Sequence, residues 1–204
     1  MRADLAGAPP SSRLRYDAIV VGGSSGGIDA LVRLLPSLPG TLQAALLVVL
    51  HLQRDRRSLL VDIFQGRCDL ALQEAQDQMA IAPGTVYFAP PDYHLLVDAG
   101  PRTALSVDPP VNYSRPCIDV LFETAADHYR DRLIGILLSG ANDDGARGMQ
   151  AIADAGGLVI VQSPADAAVP VMPMAALSRT AVPHVLPVEG IAVLLTDLHR
   201  QGQL

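Results

Sequence analysis

Asp17-Ala18-Ile19-Val20-Val21-Gly22-Gly23-Ser24-Ser25-Gly26-Gly27-Ile28 is the stretch on which the fold turns. Asp17–Val21 is apolar on both sides of its alternation, as a strand buried on two faces must be. Six glycines and serines follow as a tight turn. Ile28, Leu31, Leu34 and Leu35 then recur at helical spacing until Pro36 ends the helix. The same rhythm continues down the chain. Leu46–Leu50, Leu133–Leu138 and Leu158–Val161 read as further buried strands. Helical spacing marks Leu59, Leu60 and Ile63 before Gly66, then Ile118, Leu121, Phe122 and Ala125, and Met149, Ile152 and Ala153 before Gly156-Gly157. Val188 to Leu198 reads as a closing helix. Strand alternating with helix predicts an α/β fold: a doubly wound, mostly parallel sheet in a three-layer sandwich. From Leu70 to Val107 the rhythm changes to short strands around Pro90-Pro91-Asp92 and Ala99-Gly100-Pro101, which predicts an antiparallel β insertion at one edge.

Composition narrows the function classes. The 15 Lys+Arg against 21 Asp+Glu give a net charge of −6, the wrong sign for a nucleic-acid-binding face. Aromatic residues are 4% and Trp is absent, which leaves little to build a base-stacking platform. With 50% hydrophobic and 18% charged residues the chain can bury a core and is not a disordered segment. Cys68 and Cys117 are too few for a disulfide scaffold or a Cys-based zinc site. The longest strongly apolar run, Ala44 to Leu50, is far short of the ~20 residues of a membrane span. Residues 1–15 read as a flexible leader with no signal-peptide pattern, and 16–200 as one domain. The expected setting is cytoplasmic and reducing, with no integral membrane segment.

The Gly22–Gly27 turn admits three readings. The glycines can serve close strand–helix packing, the following helix can receive an anion, or a serine can stand on the turn as a nucleophile in a G-x-S-x-G setting. A dinucleotide fingerprint needs Gly where Ser24 stands, and the acidic residue it wants after the second strand is replaced by His51. A P-loop lysine is missing as well.

His51 directly follows Leu46–Leu50, so it sits at the carboxyl end of a predicted strand, where open α/β sheets carry their sites. Leu133–Leu138 runs into Ser139-Gly140-Ala141-Asn142-Asp143-Asp144-Gly145-Ala146, which brings two acids to the same edge. Both acids can cap the following helix. Together with Ser24 and His51, one of them can also complete a triad in which hydroxyl attacks, imidazole takes the proton and carboxylate steadies the imidazole. The chain order Ser–His–Asp differs from that of α/β-hydrolases. His94, His128, His184 and His199 share no metal-binding spacing, so no metal is expected. Cys117 reads as structural, Asp17 as a turn residue and Asp143 as a helix cap.

These residues resemble the catalytic domain of the chemotaxis protein-glutamate methylesterase family, CheB. Gly22 to Gly27 match the family's G-A-S-T-G-G, with Gly23 and Ser25 replacing Ala and Thr. Leu50-His51-Leu52 match Gln-His-Met. Leu138 to Met149 match L-T-G-M-G-x-D-G-A-x-G-M, which makes Asp144 rather than Asp143 the triad acid. Pro109 to Phe122 match P-P-V-N-x-x-R-P-S-V-D-V-L-F, and Gln162 to Ala176 resemble the late Met-Pro stretch. The resemblance runs from about Tyr16 to about Leu198. It implies hydrolysis of glutamyl methyl esters on chemoreceptor helices with release of methanol, deamidation of receptor glutamines, and no cofactor.

The resemblance implies a triad of Ser24, His51 and Asp144, with backbone N–H groups near Ser25 and Ala141 holding the oxyanion. Arg115 and Met172 fall in the substrate region, and Arg115 and Arg147 are candidates for steering an acidic partner. Four departures stand near the rim: Ala141 for Met, Ser114 for His, Cys117 for Ser and Val171 for Gly. The family's N-terminal receiver domain has no counterpart in this sequence. Methylated chemoreceptor or receptor-like helices are the expected partner. A serine esterase or amidase for small molecules, a weakened interaction module of the same fold and a nucleotide-binding domain are the rival readings.

Overall fold

A computed structural model describes residues 15–52 and 58–204. The expected leader lies outside these residues apart from Arg15. The chain runs β1 (Ala18–Gly23), α1 (Gly27–Leu34), β2 (Ala45–Leu50), α2 (Leu60–Phe64), β3 (Ala71–Glu74), β4 (Thr85–Phe88), β5 (His94–Asp98), β6 (Arg102–Ser106) and α3 (Ile118–Tyr129). It continues through β7 (Leu133–Leu137), α4 (Ala146–Asp154), β8 (Leu158–Gln162), α5 (Val171–Arg179), β9 (His184–Leu186) and α6 (Val188–Arg200). The main sheet has seven strands in the order β3-β4-β2-β1-β7-β8-β9, and every pairing is parallel.

The central strands are apolar on both faces because both faces are covered. Ile19, Val21, Leu46, Val48 and Leu50 point to one side, where Leu31, Leu34, Phe64, Ile191 and Leu195 of α1, α2 and α6 meet them. Ala18, Val20, Leu47 and Val49 point to the other, against Ile118, Leu121 and Phe122 of α3, Met149 and Ile152 of α4, and Met172 of α5. Full burial of each large apolar side chain stabilises the fold by roughly 1.5–3 kcal/mol. The helices α3 and α4 cross closely. A Cβ on Gly148 would lie 2.4 Å from that of Phe122, so only glycine permits this approach.

The expected sandwich and the antiparallel insertion are both present. The insertion is shorter than the alternation predicts, however. β3 and β4 join the main sheet in parallel, and only β5 and β6 form an antiparallel pair, as a separate sheet. The reason is burial. Thr85–Phe88 is buried throughout and pairs with β2 in the sheet interior, a place that local alternation cannot distinguish from a hairpin strand. The β5–β6 hairpin sits on α3, where Val97 N–H donates to Thr124 Oγ1 at 3.2 Å. Spacing did not reveal α5 or β9 as elements.

The order reverses beside β1. β2, β4 and β3 lie to one side of it and β7, β8 and β9 to the other. Such a switch point opens a crevice at the carboxyl ends of the strands. The three loops leaving β1, β2 and β7 there carry Ser24, His51 and the Ser139–Asp144 segment.

Candidate active site

Register places the first two of these residues side by side. Gly23 pairs with Leu50, and His51 N–H donates to the Gly23 carbonyl at 3.2 Å. Ser24 and His51 therefore leave adjacent strands together. The turn after Ser24 is shaped by Gly26, whose φ is +81°. A side chain there would be strained, and its Cβ would meet Ala168 Cβ and Ser139 Oγ at 2.7 Å. Ser139 ties this turn to β7: its carbonyl accepts Ser24 N–H at 2.9 Å, its hydroxyl donates to the Ser25 carbonyl at 2.7 Å, and the same hydroxyl accepts Val169 N–H at 2.9 Å.

His51 Nε2 lies 2.8 Å from Asp144 Oδ2. Asp144 is wholly buried and sits at the N-terminus of α3. Its Oδ2 also accepts Ile118 N–H at 2.8 Å. Its Oδ1 accepts Asp119 N–H at 3.1 Å, Cys117 Sγ–H at 3.0 Å and Asn112 Nδ2 at 3.1 Å. Burial pushes the carboxyl pKa up, but the bonds from His51, Ile118, Cys117 and Asp119 outweigh it and bring the pKa down to about 2. Asp144 is thus an anion that only accepts, so the His51 ring proton belongs on Nε2 and its lone pair on Nδ1.

The Ser24 side is looser. Ser24 is half-buried and Ser25 exposed. Among the described residues, no hydrogen bond joins Ser24 Oγ to the imidazole. The N–H groups of Ser25 and Ala141 enter no hydrogen bond among the described residues either, and both stand on the loops that flank Ser24. Met172 is buried beneath the Ala141 loop, packed on Gly140, with its N–H donating to the Gly140 carbonyl at 3.0 Å. Its role there is to support the loop from below.

The two basic candidates are both paired with carboxylates. Arg115 holds Asp92 Oδ1 through Nε at 3.0 Å and Nη2 at 2.8 Å, and its Nη1 donates to the carbonyls of Val107 and Asp108 at 2.6 and 3.0 Å. Arg147 pairs with Glu123 at 2.5 Å and lies 3.8 Å from Asp119. Asp143 does not cap α4 with its carboxylate. The N-cap is Gly145, without a side-chain cap, and Asp143 offers only its carbonyl, to Ala146 N–H at 3.1 Å. Cys117 is buried, as a structural residue should be, but its thiol touches the Asp144 carboxylate. Asn112 and Asp119, whose contacts with Asp144 span 32 and 25 positions, are functional neighbours that residue spacing missed; the Pro109–Phe122 motif was the signal that could have found them.

Residues 19–195 match the family model described as CheB methylesterase. The chain belongs to the CheB methylesterase family. The crystal structure of the Thermotoga maritima CheB methylesterase catalytic domain superposes with a TM-score of 0.86 at 30% identity, covering 91% of this chain and all of that one. A Leptospira interrogans protein is 42% identical over 189 residues, 93% of this chain and 98% of its own length. Proteins named protein-glutamate methylesterase/protein-glutamine glutaminase from Symbiobacterium thermophilum and Caulobacter vibrioides (the latter numbered 2) are each 36% identical, over 190 and 199 residues. The chain spans 52% and 57% of their lengths. Among its described residues no helix is long and apolar enough to cross a membrane. Of the rim departures, Ala141 and Val171 are exposed, while Ser114 closes a tight loop with Val111.

Proposed function

We propose that this protein is a serine hydrolase that removes methyl esters from glutamyl side chains of chemoreceptor helices, and that the same site deamidates glutaminyl side chains. The observation that carries the reading is the buried Asp144 carboxylate bound to His51 Nε2 beside the Ser24 turn, at one edge of the sheet. Ser24 Oγ attacks the ester carbonyl and gives its proton to His51. Because Nε2 is engaged by Asp144, Nδ1 is the nitrogen that takes it. Asp144 stabilises the resulting imidazolium. The N–H groups of Ser25 and Ala141 receive the oxyanion, aided by the positive end of α1. The tetrahedral adduct then collapses, the bond to methoxide breaks, and the imidazolium proton leaves with it as methanol. Water attacks the glutamyl–Ser24 ester by the same route and frees the glutamate. With a glutaminyl substrate the leaving group is ammonia. The reaction belongs in the cytoplasm, where methylated receptor helices are the expected partner.

The test is methanol release from methylated receptor by the wild type and by Ser24→Ala. The variant is expected to fold normally and to lose at least ~10⁴-fold in turnover. Equal rates in the two proteins would refute the mechanism.

A further inference from the structure

Asp144 and Asp119 cap each other's helices. Asp144, just before α4, accepts the Ile118 and Asp119 N–H groups that open α3. Asp119, in the first turn of α3, accepts Gly148 N–H near the start of α4 at 2.7 Å. Two buried carboxylates are thereby held near one another, an arrangement that like charges resist. A single side chain joins them: Asn112 Nδ2 donates to Asp119 Oδ2 at 2.9 Å and to Asp144 Oδ1 at 3.1 Å. Both partners are acceptors, which fixes which end of the amide faces them. Asn112 adopts φ +51°, a conformation asparagine tolerates better than most residues. The Cys117 thiol adds a second side-chain donor to Asp144 Oδ1.

We propose that Asn112, steadied by Asp119, and Cys117 are positioning residues for the triad acid: they bind Oδ1, temper the carboxylate and leave Oδ2 aimed at His51. The inference rests on the hydrolase reading above for its kinetic consequences, though not for its spectroscopic ones. Other groups face this cluster. Arg147 of α4 lies 3.8 Å from Asp119 and is paired with Glu123. His94 of β5 accepts Cys117 N–H at 3.2 Å through Nδ1. Asp143 and Arg179 of α5 line the polar cavity that Asn112 and Asp119 share. All of these remain when a donor to Oδ1 is deleted, so a change on deletion reports the missing bond.

A carboxylate that loses a donor holds its charge more openly and stabilises a neighbouring imidazolium better. Asn112→Gly removes the amide while allowing the positive φ. It is expected to move the acid limb of the kcat/KM profile upward by ~0.5 pH unit or more, one unit being worth about 1.4 kcal/mol. It should also lower plateau kcat by about 10-fold with KM unchanged, because Oδ2 is held less firmly. Cys117→Ala is expected to move the limb the same way, and Cys117→Ser, whose hydroxyl can donate the same bond, to recover it. This pair also asks the question if Asn112→Gly fails to fold. The downfield proton resonance of the His51 Nε2–H, read without substrate, should shift in both deletion variants and return in Cys117→Ser. A shifted resonance in a protein whose wild type releases no methanol would support the positioning and sink the substrate reading. An unmoved resonance and an unmoved or lowered limb in folded variants would overturn the positioning, whatever the substrate.

Discussion

The two sides of the site are built to different standards. Asp144 itself is wholly buried and fully bonded: two helix-terminal N–H groups, a thiol, an amide and an imidazole converge on its carboxylate. Around Ser24 the turn is half-open, and the N–H groups expected to receive an oxyanion make no bond among the described residues. Under the proposed mechanism the difference follows from when each side carries charge. The acid is charged in the resting enzyme, so its solvation by fixed donors has to be permanent. The oxyanion exists only during reaction, and donors left open for it need no rearrangement when it forms. In the proposed mechanism a protein substrate has to reach Ser24 but never Asp144.

Asp144→Asn is the sharpest way to break this comparison. It keeps the size of the side chain but deletes the charge and forces an NH₂ towards existing donors. Turnover is expected to fall by up to ~10⁴-fold by analogy with serine proteases. If the bonded side mattered only for folding, the loss in turnover would track the loss in stability, and a folded Asp144→Asn protein would remain active.

Gly26→Ala probes the open side. The added methyl meets a left-handed backbone and two neighbours at 2.7 Å. Stability should drop by ~2–3 kcal/mol, and kcat by ~10²-fold as the Ser24 turn shifts. Urea unfolding and single-turnover kinetics separate the two effects. Unaltered kinetics would show that the turn tolerates displacement.

Acid titration compares the two carboxylates directly. The folded-state pKa of Asp144, about 2, lies below the ordinary carboxylate value of 3.8. The unfolded chain therefore takes up the proton more readily. The stabilisation is complete above pH ~4 and is lost as pH falls through ~2, an effect of about 2 kcal/mol. Asp119 has the opposite sign. Burial raises its pKa against the bond from Gly148, so the stability it costs near neutrality is recovered as pH falls through that raised value. Urea unfolding of the wild type from pH 7 to pH 2 should show the Asp144 loss. Asp144→Asn should flatten it, and Asp119→Asn should steepen the net fall by removing the compensating gain.

How much of this was legible depended on range. β1, β2, β7 and β8 announce themselves through apolar runs that no solvent-facing strand would carry, and the strand-end rule then places Ser24 and His51 at one edge. Residue patterns alone left Asp143 and Asp144 equivalent, because either can cap a helix; the motif resemblance separated them. The structure adds the physical reason, since only Asp144 turns inward to the α3 N-terminus. Asn112 and Asp119, and the bond from the Cys117 thiol, stayed silent because their contacts with Asp144 join the chain across 25 to 32 positions. β3 and β4 were misassigned to the antiparallel insertion for the same reason: strand partners are not written in the strand.

Arg115 is where local reading and structure diverge most usefully. An arginine in a motif near the rim suggests steering of an acidic partner, yet its guanidinium is already occupied by Asp92 and two carbonyls, and only 17% of its side chain is exposed. A steering residue keeps its charge in solvent and acts on encounter, with an effect that fades in salt. A bound one acts on the loop it holds. Arg115→Ala should therefore cost ~1–2 kcal/mol of stability and leave KM for methylated receptor within about twofold at low and high salt. A several-fold, salt-sensitive rise in KM at unchanged stability would restore the steering role and show that the Asp92 pair opens when the partner arrives.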